Sequence, residues 1–335
     1  MPSITLFLAS LFLGTLLALS SAHWIFVWVG LELNLLSFIP LLTSSPLTPT
    51  TEAAMTYFLA QALGSGLFLL GALTSLAPSQ IFMPLMSPTL FILLGLLTKL
   101  GFPPFHFWFP SVMALASWPL CLLLTTWQKL TPLFLLFYSL PPKETFPFML
   151  LISTGAVVGG VGGLTQTQLR PLLAYSSIGH TTWMITASIS SFSISLMYLS
   201  IYIAISIPLF WTLSTTSSSS NISTLNLTFA PLILKMNIFL LMMSLGGLPP
   251  FLGFLPKLMV IESLSTSIPF ILLILMIGSL LNLYYYLNLV FINILSSQKS
   301  PLIPQNLNSS PLLNLLLLML GALTLGLSNS LFLLT

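Results

Sequence analysis

Long apolar blocks alternate with short connections rich in Pro, Ser, Thr or Gly along the whole chain. A membrane-spanning helix needs about 20 mostly apolar residues. Such blocks fall at approximately 3–21, 23–43, 52–75, 85–103, 118–139, 146–164, 170–190, 193–213, 229–249, 266–292 and 311–334. The pattern predicts an all-α polytopic membrane protein of about 11 transmembrane helices, with little chain left for a soluble domain. We expect one transmembrane domain over 1–335, with approximate halves 1–140 and 141–292 followed by a C-terminal helix at 311–334. The longest polar connection is TTSSSSNISTLNLT at 215–228.

Two of these blocks echo each other. GFPPF at 101–105 returns as GLPPF at 247–251, in the fourth and ninth spans. Proline removes a backbone donor and glycine favours unusual dihedrals. Gly101, Pro103 and Pro104 therefore predict one helix break, and Gly247, Pro249 and Pro250 a second. Broken backbone at membrane depth survives only inside protein or beside a wet cavity. An odd offset of five spans runs the two broken segments in opposite directions, and paired interruptions of this kind point to a transport pathway. The competing reading of each cluster is a helix that simply ends at the surface.

Composition narrows the class. Of 335 residues, 56% are hydrophobic and 3% charged, against roughly a quarter charged in soluble domains. No soluble fold could cover its surface with so little charge. Seven bases and a net charge of +3 are no nucleic-acid footprint. Cys121 is the sole cysteine, which excludes an internal disulfide and any cysteine-based metal or cluster site, and leaves it a packing role. The N-terminus lacks the basic region and cleavage site of a signal and the Arg-rich character of a transit peptide, so it reads as a retained first span; a chain of this kind that works in an organelle would be made there.

With so few charges, each is informative, because one at the centre of a membrane helix costs ~2.5–3.5 kcal/mol on insertion scales. Glu32 lies mid-span in HWIFVWVGLELNLLSFIP, and Lys129 is equally central in WPLCLLLTTWQKLTPLFLLFYSL. Both are functional candidates, with a buried structural partner as the alternative. Lys99 and Lys257 flank the two breaks, either as part of a route or as a helix cap or interfacial anchor. Lys235, about seven residues into its span, either snorkels or joins the route. His180, one turn beyond Ser176 and Ser177, is either a proton relay with water along that stripe or a histidine satisfied by a neighbouring hydroxyl. His106, just past the first break, poses the same choice, while His23 reads as interfacial. Glu52 fits a helix's first turn. Lys143, Glu144 and Lys299 read as loop charges, Arg170 as interfacial and Glu262 as near the surface. Three scattered histidines make no metal site. Gly159, Gly160, Gly162 and Gly163 suit close helix packing rather than a phosphate cradle.

A Glu–Lys pair of variable separation can take up and release protons, since desolvation penalises the lysine's charge and a carboxylate restores it. The energies match: one charge crossing 100 mV costs about 2.3 kcal/mol, and a pKa unit is worth about 1.36 kcal/mol. Lysines repel a metal ion, which favours protons over sodium.

HWIFVWVGLELNLLSFIPLL, KLGFPPFHFWFPSV, LLTTWQKLTPLFLL, GLTQTQLRPLLAYSSIGHTTWM and SLGGLPPFLGFLPK closely resemble the antiporter-like membrane-arm subunits of mitochondrial respiratory complex I, in order from about residue 20 to 260. The resemblance implies two inverted five-helix repeats with discontinuous helices, without the three extra N-terminal helices of bacterial relatives. It implies Glu32 as the modulating glutamate, Lys99 as its paired lysine, Lys129 as the central lysine and Lys257 as the terminal one facing a neighbouring antiporter-like subunit. His106 falls in the family's HFW motif. Ser111 stands where relatives commonly carry an acid, and Pro171 where a base often follows the arginine. The implied activity is proton translocation coupled to NADH oxidation and ubiquinone reduction in the mitochondrial inner membrane. NADH, FMN, iron–sulfur clusters and ubiquinone would bind elsewhere in the complex and none on this chain; membrane lipids and other membrane-arm subunits would be its partners. A free-standing cation/proton antiporter subunit and a non-conducting structural subunit share many of the same features.

Overall fold

The computed structural model describes residues 2–44, 48–76, 88–139, 146–216, 232–265 and 267–297. Every regular element among them is helical. In chain order these are α1 (Pro2–Ser20), α2 (Trp24–Leu42), α3 (Thr48–Leu76), α4 (Pro88–Leu100), α5 (Trp108–Leu115), α6 (Trp118–Thr125), α7 (Trp127–Ser139), α8 (Phe146–Leu164), α9 (Leu169–Ser190), α10 (Phe192–Thr216), α11 (Leu232–Gly246), α12 (Phe254–Leu264) and α13 (Pro269–Ser297). By length and composition, α2, α3, the α6–α7 segment, α10 and α13 could each cross a membrane. The expected helix at 311–334, the connection beyond Thr216, and Lys143, Glu144 and Lys299 lie outside the described residues.

Three expected spans change form. The fourth, expected over 85–103, continues past its break as α4 and α5, and the ninth, expected over 229–249, continues as α11 and α12. The fifth, expected to be continuous, is interrupted at Thr126, whose backbone sits at φ −110° and ψ −73°. Three local causes meet there. The Thr125 and Thr126 hydroxyls donate back to the carbonyls of Cys121 and Leu122, a habit that bends helices. Lys129 N–H then bonds only three residues back, to Thr126 at 3.3 Å. Pro132 supplies no N–H to the turn before it. A smaller correction concerns Glu52: α3 begins at Thr48, which moves Glu52 beyond the first turn.

Polarity is reversed relative to a soluble protein. Leu63, Phe107 and Phe270 are more than two-thirds exposed, while Asn34, Gln61, Thr98, Lys99, Lys129 and Lys257 are buried. Burial of each polar group demands a partner, so the interior polar side chains are placed by hydrogen bonds as much as by volume.

The chain divides into two compact units, residues 1–148 and 149–335. In the first, α3 packs on both α2 and α4, and α4 also meets α7. Close approach of α3 and α4 depends on Gly64 and Gly95; a Cβ on Gly95 would stand 2.7 Å from the Phe68 nitrogen. In the second, α9 is the central helix, buried along nearly its whole length, with α10, α12 and α13 around it. The glycine stripe of α8 admits neighbours: a Cβ on Gly159 would lie 2.8 Å from the Gly179 nitrogen, and Gly162 lies under the ring of Tyr175.

Candidate functional site

At the first break, the carbonyls of Leu97, Thr98 and Lys99 in the last turn of α4 all find donors. An α-helix leaves its last four carbonyls unsatisfied. Here Phe102 N–H donates to Leu97 at 3.0 Å and Gly101 N–H to Thr98 at 3.1 Å, the paired bonds of a Schellman cap. Gly101 takes the left-handed φ of +65° that this cap requires. The Trp108 indole, from the next half-helix, also donates to Thr98 at 3.0 Å. Gln61, from α3, donates to the carbonyl of Lys99 at 3.1 Å. Lys99 is thus pinned by its own backbone in the last turn of α4, with its side chain buried. Glu32 is half-buried on α2.

Lys129 enters from α7. Its ammonium sits 4.8 Å from the centre of the Phe109 ring, a cation–π contact with the half-helix beyond the break. Phe109 in turn packs on the break itself, since a Cβ on Gly101 would lie 2.8 Å from that of Phe109. Around these charges runs a polar set absent from the sequence reading. Gln128 Nε2 donates to Asn34 Oδ1 at 2.9 Å, and the Tyr57 hydroxyl donates to Gln128 Oε1 at 3.5 Å. The set's signals were in the text: Tyr57 and Gln61 share the buried face of α3 at i and i+4, Asn34 follows Glu32 by two, and Gln128 adjoins Lys129.

His106 is buried in the break, and its carbonyl accepts the Phe109 N–H at 3.0 Å. Pro103 and Pro104 occupy the connection between the half-helices. Ser111 is exposed and donates to the Trp108 carbonyl.

The second break uses its lysine differently. Gly247 is again left-handed, at φ +78°, and its N–H bonds to Met243 and Ser244. Lys257, three residues into α12, reaches back to donate to the Gly246 carbonyl at 2.8 Å. The ammonium therefore joins the two half-helices directly. Gly253 lies so close to the Ser244 carbonyl that no Cβ would fit there. Pro249 and Pro250 lie between the two glycines.

Beside this break is a cavity of about 10 Å3, lined by His180, Tyr198, Tyr202, Ser244, Gly253 and Pro256, which is room for about one water. His180 Nδ1 is 3.1 Å from the Tyr198 hydroxyl, and its ring packs 5.2 Å from that of Tyr202. Ser176 and Ser177 donate to Leu173 and Ala174 within α9. Ser176 also lies beside the buried hydroxyls of Tyr285 and Tyr286. Lys235 is buried near the start of α11. Among the described residues, no three His, Cys, Asp or Glu side chains gather as metal ligands would.

Residues 21–282 match the family described as NADH:quinone oxidoreductase/Mrp antiporter, transmembrane. The chain belongs to this family. Among members of the antiporter family, NADH-ubiquinone oxidoreductase chain 2 of Lumbricus terrestris is 43% identical over 293 residues, covering 86% of each chain. The protein of the same name from Locusta migratoria is 39% identical over 292 residues, covering 85% of this chain and 84% of its own. Respiratory complex I of Thermus thermophilus contains a chain with the same fold, at TM-score 0.83 and 28% identity, covering 97% of this chain and 78% of that one. A chain of the Mrp complex from Dietzia shares the antiporter-family fold at TM-score 0.84 and 16% identity, covering 98% of this chain and 75% of its own.

Proposed function

We propose that this chain is a proton-translocating membrane subunit of an NADH:ubiquinone oxidoreductase, the respiratory complex I of the mitochondrial inner membrane. Its share of the reaction is to move protons while electrons pass from NADH to ubiquinone elsewhere in the assembly. FMN and iron–sulfur clusters belong to those other parts, and this chain contributes no ligands for them. Its architecture is about 11 spans in two inverted five-helix repeats, flanked by other membrane-arm subunits, a neighbouring antiporter-like subunit among them, and by lipid.

One observation carries the reading: buried Lys99 ends a broken helix, and the half-helix beyond the break sets the Phe109 ring against the ammonium of buried Lys129, within a chain of the NADH:quinone oxidoreductase/Mrp antiporter family. A proton on a buried lysine is held in part by a nearby carboxylate, so a change in their separation takes up or releases it. Glu32, Lys99 and Lys129 serve the first unit, and Lys257 serves the second, with His106, His180, Ser176, Ser177 and Lys235 as relay candidates. The test is Lys129→Ala in the assembled complex. We expect NADH oxidation with an artificial electron acceptor to persist while proton translocation falls to background. A normal proton-to-electron ratio in that variant would overturn the reading.

A further inference from the structure

The Lys129 ammonium stands 4.8 Å from the centre of the Phe109 ring, and the two ends of this contact are unequally fixed. Phe109 is 1% exposed. Its N–H donates to the His106 carbonyl at 3.0 Å. Its Cβ stands so close over Gly101 that a side chain there would run into it. The Trp108 ring meets it edge-on, at 5.6 Å and 83°, and the Trp108 indole is itself bonded to the Thr98 carbonyl. The ring is thus a fixed part of the first break. Lys129 is the adaptable end. It lies in the first turn of α7, where its N–H bonds only three residues back, and its charge rides on a flexible four-carbon stem.

An aromatic face differs from the other partners a lysine could have. Its quadrupole attracts a cation, whereas a contact from a neutral N–H to the ring is a second-order effect. A carbonyl, the partner of Lys257, discriminates less, because a neutral amine still has hydrogens to donate. A fixed ring over an adaptable lysine therefore responds to the lysine's charge.

We propose that Phe109 is a positioning residue for Lys129, holding the side chain in its charged form and not in its neutral one. With the proton bound, the ammonium rests against the half-helix beyond the break. With the proton gone, that hold lapses and the stem can swing away from the ring. Loading and unloading of Lys129 thereby become a change in where its nitrogen points. The ionisable groups on the helices that meet α7 are Glu32 on α2, Glu52 and Tyr57 on α3, Lys99 on α4 and Cys121 on α6; Phe109 adds a hold that acts through contact. The inference rests on the proposed role of Lys129 in proton translocation.

The experiment uses the assembled complex in proteoliposomes, carrying Phe109→Leu, Phe109→Tyr or Phe68→Leu. Phe109→Leu removes the aromatic face and Phe109→Tyr keeps it. Phe68→Leu is the packing control, since it removes a ring just as buried, on α3, that packs 5.9 Å from Trp24. Protons moved per electron and the melting temperature are read. We expect both leucine variants to lower the melting temperature, but only Phe109→Leu to lower the proton-to-electron ratio, with Phe109→Tyr at the wild-type value. A wild-type ratio in Phe109→Leu, or an equal loss in Phe109→Tyr or in Phe68→Leu, would overturn the proposal. Should Phe109→Leu fail to assemble, Phe109→Met also removes the face and carries the same expectation. A normal ratio in Lys129→Ala would instead be a failure of the functional reading.

Discussion

Gly247 shows how strictly single residues are constrained here. Its φ of +78° suits glycine, and a Cβ would lie 2.8 Å from the ammonium of Lys257. Gly247→Ala should cost about 1–2 kcal/mol from the left-handed backbone alone, and should also push Lys257 off the Gly246 carbonyl. The expected result is a lower melting temperature of the complex together with a reduced proton-to-electron ratio. The break was legible in the sequence, because Gly and two prolines signal it locally. The bond from Lys257 was not. Its identity depends on how α12 returns against α11, and the matching pentapeptide in the fourth span goes with a different arrangement, in which Gln61 serves the Lys99 carbonyl.

Helices set the distances between such residues. The α3–α4 contact holds Gln61 on Lys99, and it exists because Gly64 and Gly95 let the backbones meet. Gly95→Val would place branched carbon where Phe68 nitrogen and the Gly64 carbonyl now lie. Overpacking of this kind typically costs about 1–3 kcal/mol, and a lost hydrogen bond about 0.5–1.5 kcal/mol more. We expect faster hydrogen exchange at Gly101 and Phe102, whose amides close the cap on α4, and a lower melting temperature for the complex. At this scale hydropathy located most helices but averaged over the interruption at Thr126. Two threonines and Pro132 are tolerated by an apolar span, and only their combined effect divides it into α6 and α7.

Across the whole chain, function was more legible than wiring. Long motifs and a few misplaced charges indicated the family and the class of chemistry, since a charge held at the centre of a membrane helix is costly and marks function by default. The set of Asn34, Tyr57, Gln61 and Gln128 escaped notice because neutral polar residues are common in membrane helices and their partners lie far off in sequence. The acids offer a test of this division. Glu52 and Glu262 are exposed, and Glu32 is half-buried. Glu52→Gln and Glu262→Gln should leave protons per electron unchanged, whereas Glu32→Gln should lower the ratio at an unchanged artificial-acceptor rate. The Lys257 ammonium carries a wider implication. It closes a severed backbone with the same three hydrogens that a proton carrier must surrender or reorient. On the role proposed for Lys257, a proton leaving that side chain weakens the bond that ties the half-helices, and an infrared label on the residue 246 carbonyl would time the first by watching the second.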